Sequence, residues 1–393
     1  MTRFGHAMEK IDERIPGVEL PLMSVSQTRG VIRRSELTDA PQRAESLDNY
    51  KVCRANDIVF NKMSIRSGAM GVAAEDGLVT YHYEVMRPRE GTDPHFIAYL
   101  MKSSWFTKEL IKRERGIGAG DQANVRTTEV PFSVLKTIDA YIPDRAEQRA
   151  IADYLDRETD RIDTLIEEQK LLIEMLRERR EAVIDAAFLG AQNQQPLKRV
   201  VQNVTVGIVV QPSRWYVERG VPALRGLNIN RGSISTRDLV YISAEGDHEH
   251  AKSRLKEGDV VVVRTGQAGA AAKVPEALDG ANAIDILIIR PGVETDADFL
   301  VWFLNSPMAA SRIAEGSVGA LQGHFNVGAL RELSFPAIPL DAQCRISVGL
   351  DTKVAAIDAL ILETERFIDL SRERRGALIT AAVTGQIDVR EAA

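Results

Sequence analysis

Cysteine is almost missing from this chain: Cys53 and Cys344 are the two in 393 residues, far apart and without a CxxC spacing. That excludes a disulfide framework and a cysteine-built zinc site. Histidine is nearly as sparse. Its only cluster, His248–Glu249–His250, follows Glu245–Gly246–Asp247 and reads as a solvated loop rather than a metal site. No run of 18 apolar residues occurs, which excludes a membrane span. The opening MTRFGHAMEKIDER carries charge where a signal peptide needs an apolar stretch, so cytoplasmic residence is expected. There is no excess of positive charge either. Fifty Lys and Arg stand against 56 Asp and Glu, net −6, the reverse of the usual nucleic-acid binder. The glycine-rich stretches KMSIRSGAMG (62–71) and RTGQAGAAAK (264–273) lack the GxxxxGKS/T order of a phosphate loop. GIGAG (116–120) lacks the strand-to-helix setting of a dinucleotide fingerprint. No catalytic constellation remains, and a stand-alone enzyme is not expected.

What is present is a repeat. RERREAVIDAAFLG (177–190) returns as RERRGALITAAVTG (372–385), 195 residues later, and the match extends without a gap over 151–190 and 346–385. It continues more faintly outward. RANDIVFNK (54–62) resembles KEGDVVVVR (256–264), with Asp57 facing Asp259, and AYIPDRAEQR (140–149) resembles PAIPLDAQCR (336–345). The chain is two copies of one unit, each a globular part followed by a helical part. The expected segments are 1–143 and 196–338 (globular) and 144–195 and 339–393 (helical). In the helical parts Ile151, Leu155, Ile162, Ile166 and Ile173, and likewise Ile346, Leu350, Ile357, Ile361 and Ile368, recur at steps of three and four or their multiples. So narrow and long a seam suits a coiled coil. About 40 residues make a rod of roughly 60 Å. Two such helices in one chain can bury their stripes on each other as an antiparallel pair about a pseudo-two-fold axis. Pro143 and Pro339 precede the helices, and Gly190 and Gly385 follow them, as start and stop signals.

The globular parts read as mixed α/β. NDIVFNK and GDVVVVRTG are β-rich after turn residues, LVTYHYEVMRP and AIDILIIRP read as second strands, and PHFIAYLMKSSWFTKELIKRE and DADFLVWFLNSPMAASRIAE have helical spacing. Most of the aromatics Phe96, Tyr99, Phe299, Trp302 and Phe303 are read as core. Behind each helix comes a polar, glycine-rich stretch, RGIGAGDQANVR (115–126) and EGSVGALQGHFN (315–326), at the same position of the repeat. These stretches hold groups able to read base edges: Arg115, Gln122, Asn124 and Arg126 in one, Gln322, His324 and Asn326 in the other. Lys62 and Arg66, and Arg264, Gln267 and Lys273, add cationic and amide groups in the turns at 62–71 and 264–273. Segments 1–143 and 196–338 together carry a net charge of +1 and the helical segments −7. The acidity belongs to the helices, and the globular parts are free to present a basic face. Strong intrinsic affinity for a phosphate backbone is not expected, so partners would supply part of it.

Two variable globular halves alternating with two near-identical helical segments resemble the specificity subunit of type I restriction–modification enzymes. The resemblance covers nearly the whole chain and is most specific at IPDRAEQRAIADYLD (142–156) and RERRGALITAAVTGQI (372–387). It implies two mixed α/β target recognition domains, each reading one half of a split double-stranded DNA sequence. The two long helices would form an antiparallel coiled coil whose length sets the spacer. It further implies that the helices hold two methyltransferase subunits and that restriction/translocase subunits join them. S-adenosylmethionine, ATP and Mg would then belong to those partners, with no cofactor or metal on this chain and no membrane. The chain has no Pro-Pro-aromatic methyltransferase motif and no nuclease signature, in keeping with a non-catalytic subunit. An interaction scaffold that reads no DNA, an orphan or decayed copy, is the alternative. Two features depart from the pattern. The second half opens with PLKRVVQNVTVGIVVQPSRWYVERG (196–220) before VPAL, whereas only 1–19 precede LPLM, as though an opening strand were missing or the half were built differently. AQCR (342–345) replaces AEQR (146–149), which weakens the start of the second helix.

Overall fold

The structure, a computed structural model, describes residues 1–39, 46–114, 129–189, 193–316 and 325–389. Two continuous helices dominate it: a proximal one, Arg145–Leu189, and a distal one, Leu340–Val383. The chain divides into two compact units. The first comprises 1–169 and 366–393, the second 170–365, so each unit takes a portion of both helices.

The first unit is built on a four-stranded antiparallel sheet in the spatial order Met8–Ile11, Tyr83–Pro88, Ile58–Asn61, Met70–Val72. The second unit repeats it as Val201–Val206, Ile286–Pro291, Val260–Val263, Ala271–Lys273. The first half therefore does have an opening strand, contrary to the sequence expectation. Met8–Ile11 takes the place of Val201–Val206 in a shorter form. What the first half lacks is the stretch that follows, where the second half adds Tyr216–Val217 to the edge of a second sheet, beside Val240–Ile242.

Each expected single helix is in fact two, and a serine makes the break. Ser103 Oγ donates to the Leu100 carbonyl and accepts from Phe106 N–H, ending Pro94–Lys102 and starting Ser104–Glu114. Ser306 repeats this with Phe303 and Ala309, between Ala297–Leu304 and Pro307–Gly316. Asp93 and Asp296 accept from backbone N–H groups at the helix starts, as N-caps do. The aromatic residues read as core divide as that reading implies: Phe96, Phe299 and Phe303 are fully buried. Tyr99 and Trp302 lie at the edge and donate to Asp156 and Asp351 of the long helices. EGDHEH is not a solvated loop. It forms a helix, Ala244–Glu249, capped by Ser243, and buries Asp247 on Arg254 and Asn282.

Within each unit the two long helices run antiparallel. In the first unit Ile151, Ala152 and Leu155 join one core with Ile379, Ala382 and Val383. In the second, Ile184 and Phe188 join Leu350 and Val354, and Phe188 stacks edge-on against Phe299 and Phe303 at 5.3 and 5.5 Å. Of the expected seam residues, Ile151, Leu155, Ile162, Ile166, Ile173, Leu350, Ile357 and Ile368 are buried, while Ile346 and Ile361 are half-buried. Thr159, Thr364 and Ser371 are also buried along it, so the seam is not purely aliphatic.

The last arginine of each RERR run closes the pairing. Arg180 bonds Asp358 in the second unit, and Arg375 bonds Asp163 in the first. These four positions exchange under the 195-residue offset, so the two ion pairs are one contact made twice. The distal helix ends in a Schellman turn: Gly385, at φ 72°, donates to Ala382, and Gln386 N–H reaches the Ala381 carbonyl. Gly190 lies outside the described residues.

Candidate nucleic-acid interface

Two kinds of contact set the frame of each globular half, one joining it to its helix and one within it. Gln148 is fully buried. Its Nε2 donates to the carbonyls of Pro143 and Gly91, and its Oε1 accepts from Asp93 N–H at 2.8 Å. Gln343 makes the same three bonds, with Ile338, Glu294 and Asp296. The glutamine of AQCR is thus in register with that of AEQR; only the preceding Ile-Pro has shifted by one residue. The expected weakening of the second helix start does not occur. The second contact joins strand to turn. Asp57, fully buried, accepts from Nε and Nη2 of Arg87, both at 2.8 Å, and from the Arg54 N–H, which caps the turn before its strand. Asp259 does the same with Arg290 and the Lys256 N–H. A buried carboxylate paired in this way ties strand to strand, because losing the arginine leaves its charge uncompensated.

On that frame, one sheet edge in each half holds the glycine-rich turn that sequence reading singled out, at 62–71 or 264–273. In the second half it is formed by the end of Val260–Val263, the turn from Arg264 to Gly269, and the start of Ile286–Pro291. Phe325, the first described residue after 317–324, donates its N–H to the Arg264 carbonyl at 3.1 Å. In the first half Val130, just beyond 115–128, donates to the Lys62 carbonyl at 3.1 Å in the same way, after the strand Ile58–Asn61. The described residues that follow the two polar stretches thus meet corresponding turns.

The candidate residues differ in what they do there. Lys62 is mostly covered and bonds Glu129 at 3.0 Å. Arg66 lies exposed on the short helical turn Ile65–Ser67. Arg264 is only 17% exposed and holds Asp285, while its Nε is buried without a partner. Gln267 is exposed in the turn. Lys273 lies away from this edge, opposite Val260 at the other end of the strand pair, and bonds Asp298. Asn326, an exposed residue, accepts from Ala329 N–H as the cap of Val327–Glu332. Arg115, Gln122, Asn124, Arg126, Gln322 and His324 lie outside the described residues.

Sequence reading missed the breaks that shape this edge. LVTYHYEVMRP and AIDILIIRP each read as one strand, yet both are interrupted. Gly77–Val79 stops before Tyr83–Pro88, and Asn282–Ala283 before Ile286–Pro291. The second break turns on Asp285, whose φ of 50° puts a non-glycine residue in the left-handed region. The first turns at Thr80–His82, where the Tyr81 and His82 rings lie 3.9 Å apart and His82 Nδ1 is buried without a partner. An aspartate within an apolar run was the only available signal. Among the described residues no helix is long and apolar enough to cross a membrane, and no cluster of three or more His, Cys, Asp or Glu side chains could hold a metal ion.

A duplicated α/β chain with two long helices, paired antiparallel in each unit, defines the class. No family model matches the chain. Among curated proteins it is 20% identical over 273 residues to the EcoBI specificity subunit of Escherichia coli, covering 63% of this chain and 58% of that one. It is 23% identical over 171 residues to the EcoKI specificity subunit of Escherichia coli strain K12, covering 42% and 36%. The matches thus span less than two thirds of either relative. Among solved structures, a chain from a study of complex assembly and conformational transition of the type I restriction–modification system aligns over 98% of this chain and 97% of its own. The TM-score is 0.77 at 17% identity. The HsdS subunit from Thermoanaerobacter tengcongensis aligns over 98% and 96%, with a TM-score of 0.63 at 18% identity. The fold of this chain is the specificity-subunit fold of type I restriction–modification systems, with two α/β parts and the coiled-coil helices.

Proposed function

We propose that this chain is the sequence-reading subunit of a type I restriction–modification complex. Each globular half reads one part of a bipartite duplex target through the edge described above, with Arg66 and Gln267 and the residues of 115–126 and 315–326 contacting DNA. One observation carries the reading. The two halves repeat their frame contact for contact, at Gln148/Gln343 and Asp57–Arg87/Asp259–Arg290, while the side chains at the corresponding edges differ. A duplicated frame with unlike edges is what two different half-sites require. The chain itself contributes no chemistry. Methylation and cleavage, with S-adenosylmethionine, ATP and Mg, belong to two methyltransferase subunits and the restriction/translocase subunits.

The helices suit a holding role. Leu171, Met175, Leu360 and Leu362 of the second unit stay exposed although they lie on helices whose seam is already filled. Uncovered apolar side chains in such number favour a protein partner. The decisive experiment is deletion of the gene in its native strain, with modified bases mapped by long-read sequencing. Loss of one bipartite motif is expected; an unchanged set of modified positions overturns the proposal.

A further inference from the structure

We propose that Asp285 is a specificity-determining residue of the second half, accepting a hydrogen bond from the N4 amine of a cytosine in the major groove. The inference rests on the DNA-reading function proposed above and names one group within it. Four observations place Asp285 in this role. Its backbone occupies the left-handed region at φ 50°, breaking a run that otherwise reads as one strand. Such strain persists only where the surroundings enforce it, and it clusters at binding sites. Here the enforcing bond is from Asp285 N–H to the Ile208 carbonyl, at 3.0 Å. The loop that follows Ile208 carries exposed Val209 and Val210 and is longer than its counterpart in the first half.

The side chain is held from behind. Arg264 donates to Oδ1 while remaining largely covered, and its carbonyl anchors Phe325. The Asp285 side chain is nevertheless 46% exposed, and among the described residues its Oδ2 has no partner. Arg264 therefore orients the carboxylate and offsets its charge rather than facing a ligand itself. A carboxylate on a DNA-facing edge is repelled by phosphates, and it gains only where it meets a base amine, with cytosine N4 the usual donor. Finally, the corresponding position in the first half is His82, and Lys62, which bonds Glu129, stands in place of Arg264. The surrounding frame, Arg87–Asp57 against Arg290–Asp259, is unchanged. The chemistry switches where the frame does not.

The test replaces the gene in the native strain with Asp285→Gly and, separately, Asp285→Asn alleles and maps modified bases. Both residues tolerate positive φ, and Asn keeps an oxygen for Arg264. Melting of the purified chains reports on folding. The expected result is that one C·G pair, in one half of the motif, loses about tenfold or more in discrimination while the other half is read as before. Three results overturn the inference: an unchanged motif in both variants, relaxation at a pair other than C·G, or uniform loss of modification from variants that melt like the parent. The deletion strain separates the two levels. If the motif survives deletion, the DNA-reading function itself fails; if deletion abolishes it and the variants leave it intact, only the role of Asp285 fails.

Discussion

Gln148 and Gln343 show how a single buried polar side chain joins a domain to a helix. Each satisfies two carbonyls and one amide N–H that would otherwise be orphaned where the globular half meets its helix. Removing a partner from buried groups costs about 1–3 kcal/mol. Gln148→Ala and Gln343→Ala should each destabilise the chain by that amount in urea unfolding, and the two effects should be similar. A negligible loss in either would mean that water replaces the amide. These glutamines were printed in the sequence as AEQR and AQCR, but the shift of the preceding Ile-Pro by one residue hid their equivalence. The edge residues were legible only as types. That Arg264 turns inward onto Asp285, and that Asn326 caps a helix, depends on where distant strands deliver them.

At the scale of elements, the long helices were the most readable part of the chain. Their apolar spacing reports directly on one buried stripe, and eight of the ten expected seam residues are buried. Spacing alone does not settle the RERR runs, because a charged run on a helix can face water, a partner or the other helix. The structure selects the last for Arg180 and Arg375. Both pairs are partly exposed, so each is expected to contribute at most about 1 kcal/mol. Arg180→Glu places like charges against Asp358 and should lower the melting temperature slightly, and adding Asp358→Arg should restore it. Failure of the double variant to recover would show that the pair does not set the register. The helices of the globular halves were over-joined in reading because apolar spacing continues through Ser103 and Ser306. Only their hydroxyl bonds reveal the breaks.

At the scale of the molecule, the duplication sets two unlike edges on one repeated frame. If the helices act as a ruler, inserting one heptad into both, at matching positions of the seam, should keep the pairing and lengthen the spacer of the modified motif. Long-read mapping in the native strain checks this, and an unchanged spacer rejects the ruler. The repeat, the periodic seam and the near-neutral globular segments were all decided by the sequence alone, because each is a property of residue order that survives without knowing any partner. Tertiary structure decided the rest: the opening strand of the first half, the shared register of the two glutamines, the strand breaks, and the outward carboxylate of Asp285. These depend on backbone hydrogen bonds between segments distant in the chain, as from Asp285 to Ile208 or Phe325 to Arg264. Such bonds leave no periodic trace in the residues that make them.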